Sequence, residues 1–307
     1  MLPTRNGSIR IFRFAGIDVY LHWLWFLAAI YEVSYGSARY SSLVWCVFEY
    51  LAVFSIVLMH EFGHALACRS VGGRADQIVL WLLGGVAYVD PPPRPGAVLW
   101  SIAAGPLVNV ALVPILTGAV FLTTHAENLG ASAHNLGEFI SSLWYINVFL
   151  LGFNMLPIYP LDGGKIVWAL LWFVVGRARS LLIASALGLL TVVLLVVFAF
   201  GYFQNNPWLI LIVVFAAMQC WSGLQQARVL SRIAAAPPHA GLACPNCKKP
   251  PPSGDFWLCG HCKQPFDMFA TRGVCPSCGM IFNRARCLEC GKGYALDEFR
   301  EPSQPPS

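Results

Sequence analysis

Residues 43–68 read LVWCVFEYLAVFSIVLMHEFGHALAC, an apolar run that ends in the motif His60-Glu61-Phe62-Gly63-His64. A helix of about 20 apolar residues can cross a bilayer, so this segment is predicted to be a transmembrane helix. Residues four apart share a helical face, so both histidine side chains can reach one metal ion. Glu61 projects beside them, where a general base for a metal-activated water has to stand. The sequence therefore predicts a metal site inside the membrane rather than in a soluble domain.

The composition indicates a polytopic membrane protein with a polar tail. Of the 307 residues, 57% are hydrophobic and 11% are charged, whereas soluble proteins have about 25% charged residues. A shorter apolar run, 166–175, is too short to cross comfortably and is predicted to lie at the interface or to pack on the bundle. Windows of about 20 apolar residues predict about six transmembrane helices, at residues 18–35, 43–68, 97–123, 139–161, 181–203 and 207–226.

The distribution of positive charge predicts the orientation. If the N-terminus is inside, the outside loops carry only Arg39. Short loops rich in Lys and Arg stay on the cytoplasmic side. Both termini and the His60–His64 end of the second span are therefore predicted to face the cytoplasm, in a multi-pass protein of the cell membrane. The basic residues on the inside are Arg5, Arg10, Arg13, Arg69, Arg74, Arg94, Lys165, Arg177, Arg179, Arg228 and Arg232.

A third metal ligand is predicted near the end of the fourth span, where residues 154–164 read NMLPIYPLDGG. A catalytic zinc site needs three protein ligands and one open position. Asp162 follows two helix-breaking prolines at the same membrane side as His60 and His64, and a carboxylate there is costly unless it is paired or bound to metal. An isolated H-E-x-x-H match is often accidental, and Asp before Gly-Gly often marks only a turn. Their combination, in spans whose cytoplasmic ends coincide, favours a zinc site.

These motifs together resemble the site-2 protease family of intramembrane zinc metalloproteases, in which H-E-x-x-H and a later L-D-G motif form one site. The run N-x-x-P-x-x-P-x-D-G-G at 154–164 is similar to the family's second motif at every marked position. Weaker matches are Gly105-Pro106-Leu107-Val108-Asn109 and Gly84-Gly85-Val86. The resemblance covers about residues 10–230.

The resemblance implies roles for individual residues. His60, His64 and Asp162 would bind zinc, and Glu61 would activate the attacking water. Asn154 would lie near the oxyanion or the substrate backbone. Asn109 is a second candidate for that region, and a hydrogen bond between helices is the competing interpretation.

The loop at 71–93 contains the strand-like residues 77–83 followed by Gly84 and Gly85. It is predicted to be a small re-entrant β-like loop. Such a loop offers a strand edge to an unwound substrate, or it is a plain packing element. The predicted fold is accordingly an all-α polytopic membrane protein with this loop and a C-terminal zinc-ribbon domain.

The tail carries eight of the eleven cysteines, in four C-x-x-C pairs. Two such pairs complete a tetrahedral zinc site of four thiolates, and disulfides are disfavoured in a reducing cytosol. Sequential pairing, first with second and third with fourth, is predicted, with an interleaved arrangement left open. The pairs are Cys244/Cys247, Cys259/Cys262, Cys275/Cys278 and Cys287/Cys290.

The predicted domains are a transmembrane metalloprotease domain (1–233), a linker (234–242), tandem zinc ribbons (243–293) and a disordered tail (294–307). The predicted cofactors are one catalytic and two structural zinc ions. Acidic and basic residues are mixed in the ribbons, which favours a protein partner over nucleic acid.

The leading functional hypothesis is an intramembrane zinc endopeptidase that cleaves membrane-tethered substrates within the bilayer. The alternative is a non-catalytic membrane adaptor that recruits partners through its ribbons, although Glu61 has no purpose in a scaffold. A zinc transporter is a third class. It would carry several carboxylates or histidines along its path, and apart from Glu49 the spans are nearly bare.

Overall fold

The computed structural model describes residues 7–36, 39–81, 84–124, 131–202 and 207–300. In chain order its elements are β1 (Ser8–Phe14), β2 (Ile17–His22), α1 (Trp25–Gly36), α2 (Leu43–Ser70), β3 (Arg74–Trp81), β4 (Gly84–Asp90), α3 (Pro95–Thr124), α4 (Ala131–Asn154), α5 (Asp162–Val175), α6 (Arg177–Tyr202), α7 (Pro207–Ala235), β5 (Trp257–Leu258), β6 (Pro265–Phe266), β7 (Arg284–Arg286), β8 (Gly293–Ala295) and a 3-10 helix, Leu296–Glu298.

Four helices among the described residues are long and apolar enough to cross a membrane: α2, α3, His134–Asn154 of α4 and Arg177–Val197 of α6. Large apolar side chains on these helices point outward. Ile115 is 64% exposed, Leu122 72% and Phe149 65%. Exposed apolar surface of this extent is stable against lipid, not against water. The protein is therefore an integral membrane protein with a mostly helical fold, as predicted.

The predicted number of six spans is not confirmed, and the first span, 18–35, is wrong. Its beginning forms strand β2, because apolar side chains alternate with polar ones from Ile17 to His22, a pattern that a hydropathy window averages away. The remaining helix α1 has 12 residues, about 18 Å, which is shorter than a bilayer core of about 30 Å. The sixth predicted span, 207–226, lies within α7, and the side chains of its first six residues lie outside the described part.

A four-stranded sheet with the order β1-β2-β3-β4 covers the end of α2. Strands β2 and β3 run parallel, while the two outer pairs are antiparallel. Ile17, Val19 and Ile78 are buried in one apolar cluster with Ala65 and Cys68 of α2. The predicted re-entrant β-like loop is thus the hairpin β3–β4, and this hairpin belongs to a larger sheet. One edge of that sheet is β4.

The short apolar run in α5 packs on the bundle, as predicted. Ala169 is buried against Val98 and Ile102 of α3. The helix begins at Asp162. Packing of α5 on α3 therefore brings the second motif to the helix that carries Asn109.

Glu49 lies in the interior of the bundle and is fully buried. Its carboxylate accepts a hydrogen bond from Ser142 of α4 and pairs with Arg39 at 3.5 Å. These contacts join α2 to α4 and to the loop before α2. They make Glu49 a hydrogen-bonding residue of the bundle interior.

The cysteine-rich tail forms two small hairpins, β5–β6 and β7–β8, around one apolar core. Trp257, Phe266 and Phe299 are buried in that core together with five of the cysteines. Packing continues past the predicted end of the ribbons at 293, because Tyr294 pairs with Ala285 and Phe299 is 1% exposed. Residues 301–307 of the predicted disordered tail lie outside the described residues.

Asp267 ties the predicted linker to the ribbon domain. Its carboxylate contacts the His239 ring at 3.0 Å and accepts hydrogen bonds from Gly254, Phe269 and Ala270. Burial acts to raise the pKa of Asp267, but the backbone N–H groups and the His239 ring hold that pKa below its ordinary value. The segment before residue 243 is therefore partly packed.

Candidate metal centre

The three predicted ligands meet at one point inside the helical domain. His60 and His64 lie one turn apart on α2, and Asp162 is the first residue of α5. The Nε2 atoms of the two histidines are 3.1 Å apart, and each is 3.1 Å from Oδ2 of Asp162. All three residues are buried, at 3%, 7% and 7% exposure. The helical spacing therefore does bring both rings to the carboxylate.

The geometry of these three atoms fits zinc. A tetrahedral zinc ion lies about 2.0–2.1 Å from nitrogen and oxygen ligands, which places the ligand atoms about 3.3–3.4 Å from one another. The observed separations of 3.1 Å are close to this value. Without a cation, the Asp162 carboxylate and the two Nε2 atoms would face one another in a buried space without enough protons to form hydrogen bonds between all three, which is costly. His60, His64 and Asp162 are thus able to hold one zinc ion.

The far side of each imidazole is fixed by an acceptor. His64 directs Nδ1 at the backbone carbonyl of Ser101, 2.9 Å away, and this carbonyl can only accept a hydrogen bond. His60 directs Nδ1 at Oδ1 of Asn109, 2.5 Å away. These acceptors favour the tautomer with the proton on Nδ1 in both rings, which leaves the Nε2 lone pairs directed at Asp162 and free to bind a metal. Partners of this kind orient metal ligands and raise their basicity.

Asn109 is engaged on both sides of its amide. Its Nδ2 donates to Oδ1 of Asn147 at 2.8 Å, and Asn109 itself is fully buried. Of the two roles predicted for Asn109, these contacts favour the hydrogen bond between helices over the contact with substrate. Asn147 was missed by the sequence analysis, although a buried amide in an apolar span is the signal that singled out Asn109. The Ser101 carbonyl has no signal in the sequence.

Glu61 is held against the edge strand β4. Its Oε2 accepts a hydrogen bond from the backbone N–H of Ala87 at 2.7 Å, and the side chain is 6% exposed. A Cβ atom at Gly85 would lie 2.4 Å from Cγ of Glu61. The weak Gly-Gly-Val match in the sequence therefore has a steric reason, because only glycine leaves room for this carboxylate.

Two further residues of the second motif lie around the site. Oδ1 of Asp162 faces the ammonium of Lys165 at 3.9 Å, and Oδ2 faces the two histidine rings. Asn154 is the last residue of α4 and is half-buried. Within the described residues its amide has no hydrogen-bond partner, so it is available to an incoming molecule.

We expect Gly105→Ala to weaken zinc binding at this site by about 10–100-fold, the usual loss when the surroundings of a ligand are disturbed. A Cβ at position 105 would lie 2.2 Å from Nε2 of His64, the atom that faces the metal. The ring would have to move. Zinc retained per protein after dialysis against a chelator measures the loss.

Gly118→Ala is the matched control, because position 118 lies on the same helix and a Cβ there meets nothing within 4 Å. Alanine is also the better helix former, so this control keeps its fold and its zinc. Equal zinc retention by the two variants would contradict the steric argument.

The eight tail cysteines form two groups of four, and the predicted sequential pairing is wrong. The first pair meets the fourth, with Sγ–Sγ distances of 3.7 Å for Cys244–Cys290 and Cys247–Cys287. The second meets the third, with distances of 3.6 and 3.7 Å. Four thiolates around zinc at about 2.3 Å lie about 3.8 Å apart, whereas a disulfide requires about 2.05 Å. The geometry thus fits two zinc ions in a nested arrangement.

Comparison with known proteins identifies relatives of the helical domain. A family model described as Peptidase family M50 matches residues 48–131 and 118–198. "Zinc metalloprotease MJ0392" of Methanocaldococcus jannaschii is 32% identical over 212 residues, 68% of this chain and 58% of that protein. "Putative zinc metalloprotease MJ0611" of the same organism is 30% identical over 189 residues, 54% of this chain and 92% of that protein.

Among solved structures, "Site-2 Protease from Methanocaldococcus jannaschii" aligns with a TM-score of 0.49 and 27% identity, over 70% of this chain and 94% of that chain. This chain spans less than two thirds of the length of MJ0392. The family match includes both the His60–His64 motif and Asp162. Together with MJ0611, which the chain covers almost completely, this match means that the chain belongs to peptidase family M50, the site-2 protease family of membrane metalloproteases.

Proposed function

We propose that this protein is an intramembrane zinc endopeptidase that hydrolyses peptide bonds in or near transmembrane segments of membrane-tethered substrates, as in regulated intramembrane proteolysis. The observation that carries the proposal is the buried triad of His60, His64 and Asp162 with Glu61 beside it, all within apolar helices. A structural metal site needs no carboxylate next to an open position.

The depth of the site supports cleavage within the membrane. His64 and His60 lie six and ten residues before Ser70, the end of α2. At about 1.5 Å per residue, the metal would lie roughly 9–15 Å inside the helix end. Arg69, one residue from that end, marks the watery side. A soluble substrate does not reach this depth, so the substrate enters from the bilayer.

The residues of the site divide the chemistry of hydrolysis among them. His60, His64 and Asp162 would hold a zinc ion, and this ion would supply Lewis-acid chemistry that acidifies water and polarises the scissile carbonyl. Glu61 takes the proton of the attacking water on its carboxylate and returns it to the leaving amine. Asn154 donates a hydrogen bond to the carbonyl oxygen as negative charge develops there.

The substrate is proposed to bind as an extended strand along β4. A transmembrane helix hides its peptide groups in its own hydrogen bonds, so it has to unwind before cleavage. One edge of the sheet is β4, and Ala87 directs its N–H away from β3 towards Glu61. An added strand would lie beside the general base, and strand addition is a common mode of peptide recognition.

The orientation is proposed to follow the charge distribution, with both termini and the zinc site towards the cytoplasm in the cell membrane. The ribbon domain would then recruit a cytoplasmic protein. The inner cysteine site is the group of Cys259, Cys262, Cys275 and Cys278. Close to it in sequence, Leu258 and Ile281 are 69% and 67% exposed, which favours a protein partner. Lys249 is paired with Glu289, so its positive charge is partly neutralised and attracts nucleic acid less.

The test of the proposal is cleavage in liposomes. The purified full chain is mixed with single-span membrane proteins and, separately, with an unfolded soluble protein. We expect cleavage of the membrane substrate only, with new termini within or near its transmembrane segment by mass spectrometry. Stripping zinc with a chelator is expected to stop cleavage, and adding Zn²⁺ is expected to restore it.

Cleavage that survives complete zinc removal, or equal cleavage of the soluble protein, would refute the proposal. The adaptor alternative predicts no cleavage in any condition. It also predicts that loss of Cys275 or Cys278 removes partner binding while membrane substrates remain intact.

A further inference from the structure

Two buried amides connect three helices behind the metal site. Asn147 of α4 and Asn109 of α3 are both fully buried. Asn109 contacts His60 of α2 at 2.5 Å and Asn147 at 2.8 Å. Nδ2 of Asn147 donates in turn to the backbone carbonyl of Asn109 at 3.1 Å. Every polar side-chain atom in this chain of contacts has a partner. The orientation of one amide therefore fixes whether the next group has to donate or accept.

The orientation of the network starts from the backbone carbonyl of Asn109. A carbonyl oxygen can only accept, so Asn147 has to turn its NH₂ group towards it. Oδ1 of Asn147 then faces Asn109 and accepts from Nδ2 of that residue. Asn109 is left with Oδ1 facing His60, and that oxygen accepts the proton on Nδ1.

A flipped Asn109 amide would disturb the ligand. Its NH₂ group would meet the Nδ1–H of His60, donor against donor. The ring could avoid this only by moving its proton to Nε2, and it would then have no lone pair for the metal. Asn109 alone does not choose between these orientations, because oxygen and NH₂ occupy nearly the same space.

We infer that Asn147 is a positioning residue of the zinc centre: by orienting the Asn109 amide, it sets the tautomer of His60 and thereby the affinity of the site for zinc. This inference rests on the proposed function, since it assumes that the triad holds zinc. The competing interpretation is that Asn147 only joins α3 to α4. Breaking that bond would destabilise the bundle without a specific effect on the metal.

The experiment measures zinc affinity of the full chain in detergent by competition with a chelator. The Asp162→Ala variant gives the background of zinc held elsewhere. Asn147→Leu keeps the branching at Cγ and removes both hydrogen bonds, and we expect it to lower the affinity about 10–100-fold. Asn109→Asp is the key second variant, because either of its carboxylate oxygens accepts from Nδ1 of His60; its other oxygen then faces Oδ1 of Asn147, acceptor against acceptor, until Asn147 is replaced by leucine. Its affinity is expected to stay within about threefold of the wild type, as carboxylate–histidine–zinc arrangements are effective.

The double variant Asn109→Asp/Asn147→Leu decides between the interpretations. If Asn147 acts through the amide orientation, the double variant binds zinc at least as tightly as Asn109→Asp alone, because leucine also removes the oxygen that faces the new carboxylate. If Asn147 acts only through packing, its replacement costs the same in both backgrounds, and the inference is overturned. An unchanged affinity of Asn147→Leu would overturn it as well.

Asn135→Leu is the matched control on the same helix. Asn135 is also buried, at 4% exposure, and it hydrogen-bonds with Ser41 instead of the metal site. It is expected to bind zinc as the wild type does. If the wild type itself holds no more zinc than Asp162→Ala, the proposed function fails, which is a different outcome from a failure of the inference alone.

Discussion

Glu61→Gln is expected to lower the rate of peptide hydrolysis by about 10²–10⁴-fold, the usual contribution of a general acid–base, and to leave zinc binding intact. Glutamine has the shape of glutamate but does not take a proton from water. Its amide oxygen can still accept the Ala87 N–H that now bonds to Oε2, so β4 is expected to stay in place. His60, His64 and their hydrogen-bond partners are untouched. Cleavage rate in liposomes and zinc content are measured on the same preparation.

Glu49→Gln is the control for this variant. Glu49 is the other buried carboxylate of α2, and it bonds to Ser142, away from the metal. It lies 11 residues from His60, which is about 16 Å along the helix. Glu49→Gln is therefore expected to keep zinc and to cleave at a rate close to that of the wild type. Unchanged cleavage by Glu61→Gln with full zinc content would show that Glu61 is not the base.

The residues of the candidate metal site were predictable for two reasons. The histidine spacing acts within one helix, and a carboxylate in an apolar region is energetically costly. A spacing of four residues fixes His60 and His64 on one helical face regardless of the rest of the fold. Asp162 is 102 residues from His60, yet a carboxylate in an apolar region needs a compensating partner. That cost singled out the carboxylate that the structure places beside His60 and His64.

The prediction of the first span was wrong because the strand that pairs with its beginning is distant in sequence. Strand β2 pairs with β3, Val19 with Ile78, and no window that covers residues 18–35 contains β3. The apolar residues of β2 are buried by the sheet and α2 rather than by lipid. Hydropathy alone does not distinguish these two kinds of burial.

The role of Asn109 required its neighbours. Sequence analysis left substrate contact and a hydrogen bond between helices open, because both explain a buried amide. Asn147, 38 residues later, accepts a hydrogen bond from the Asn109 amide, and this contact favours the hydrogen bond between helices. The packing of α3 on α4 makes this contact, and no local pattern reports it.

The pairing of the cysteines could not be read from spacing either. Four C-x-x-C pairs can combine in three ways, and all three place thiolates at ligand spacing. The nested arrangement follows from the common core, where Trp257, Phe266 and Phe299 hold both ends of the domain together. The outer cysteine site, formed by Cys244, Cys247, Cys287 and Cys290, therefore joins the beginning of the domain to its end.

The largest structural effect is expected from the outer cysteine site. Structural zinc contributes about 10–16 kcal/mol of apparent binding free energy in small zinc domains, so the domain is expected to open when a site is lost. Cys244→Ser/Cys287→Ser removes two ligands from one site in the nested arrangement. Cys244→Ser/Cys259→Ser removes one ligand from each site. Zinc per protein after mild chelation, with exchange of backbone amide hydrogens across residues 243–300, reports the result.

The two double variants are matched in the number and type of substitutions, so their difference reports the pairing. With nested sites, Cys244→Ser/Cys287→Ser leaves Cys259, Cys262, Cys275 and Cys278 complete, and this variant retains one ribbon zinc. Cys244→Ser/Cys259→Ser leaves two sites of three cysteines, and both ions become labile to the chelator. Sequential pairing would reverse this order, because Cys244 and Cys259 would then share one ion and the other site would survive. Equal zinc loss from Cys244→Ser/Cys287→Ser and Cys244→Ser/Cys259→Ser would mean that the two sites fold as a single unit, in which neither ion is held without the other.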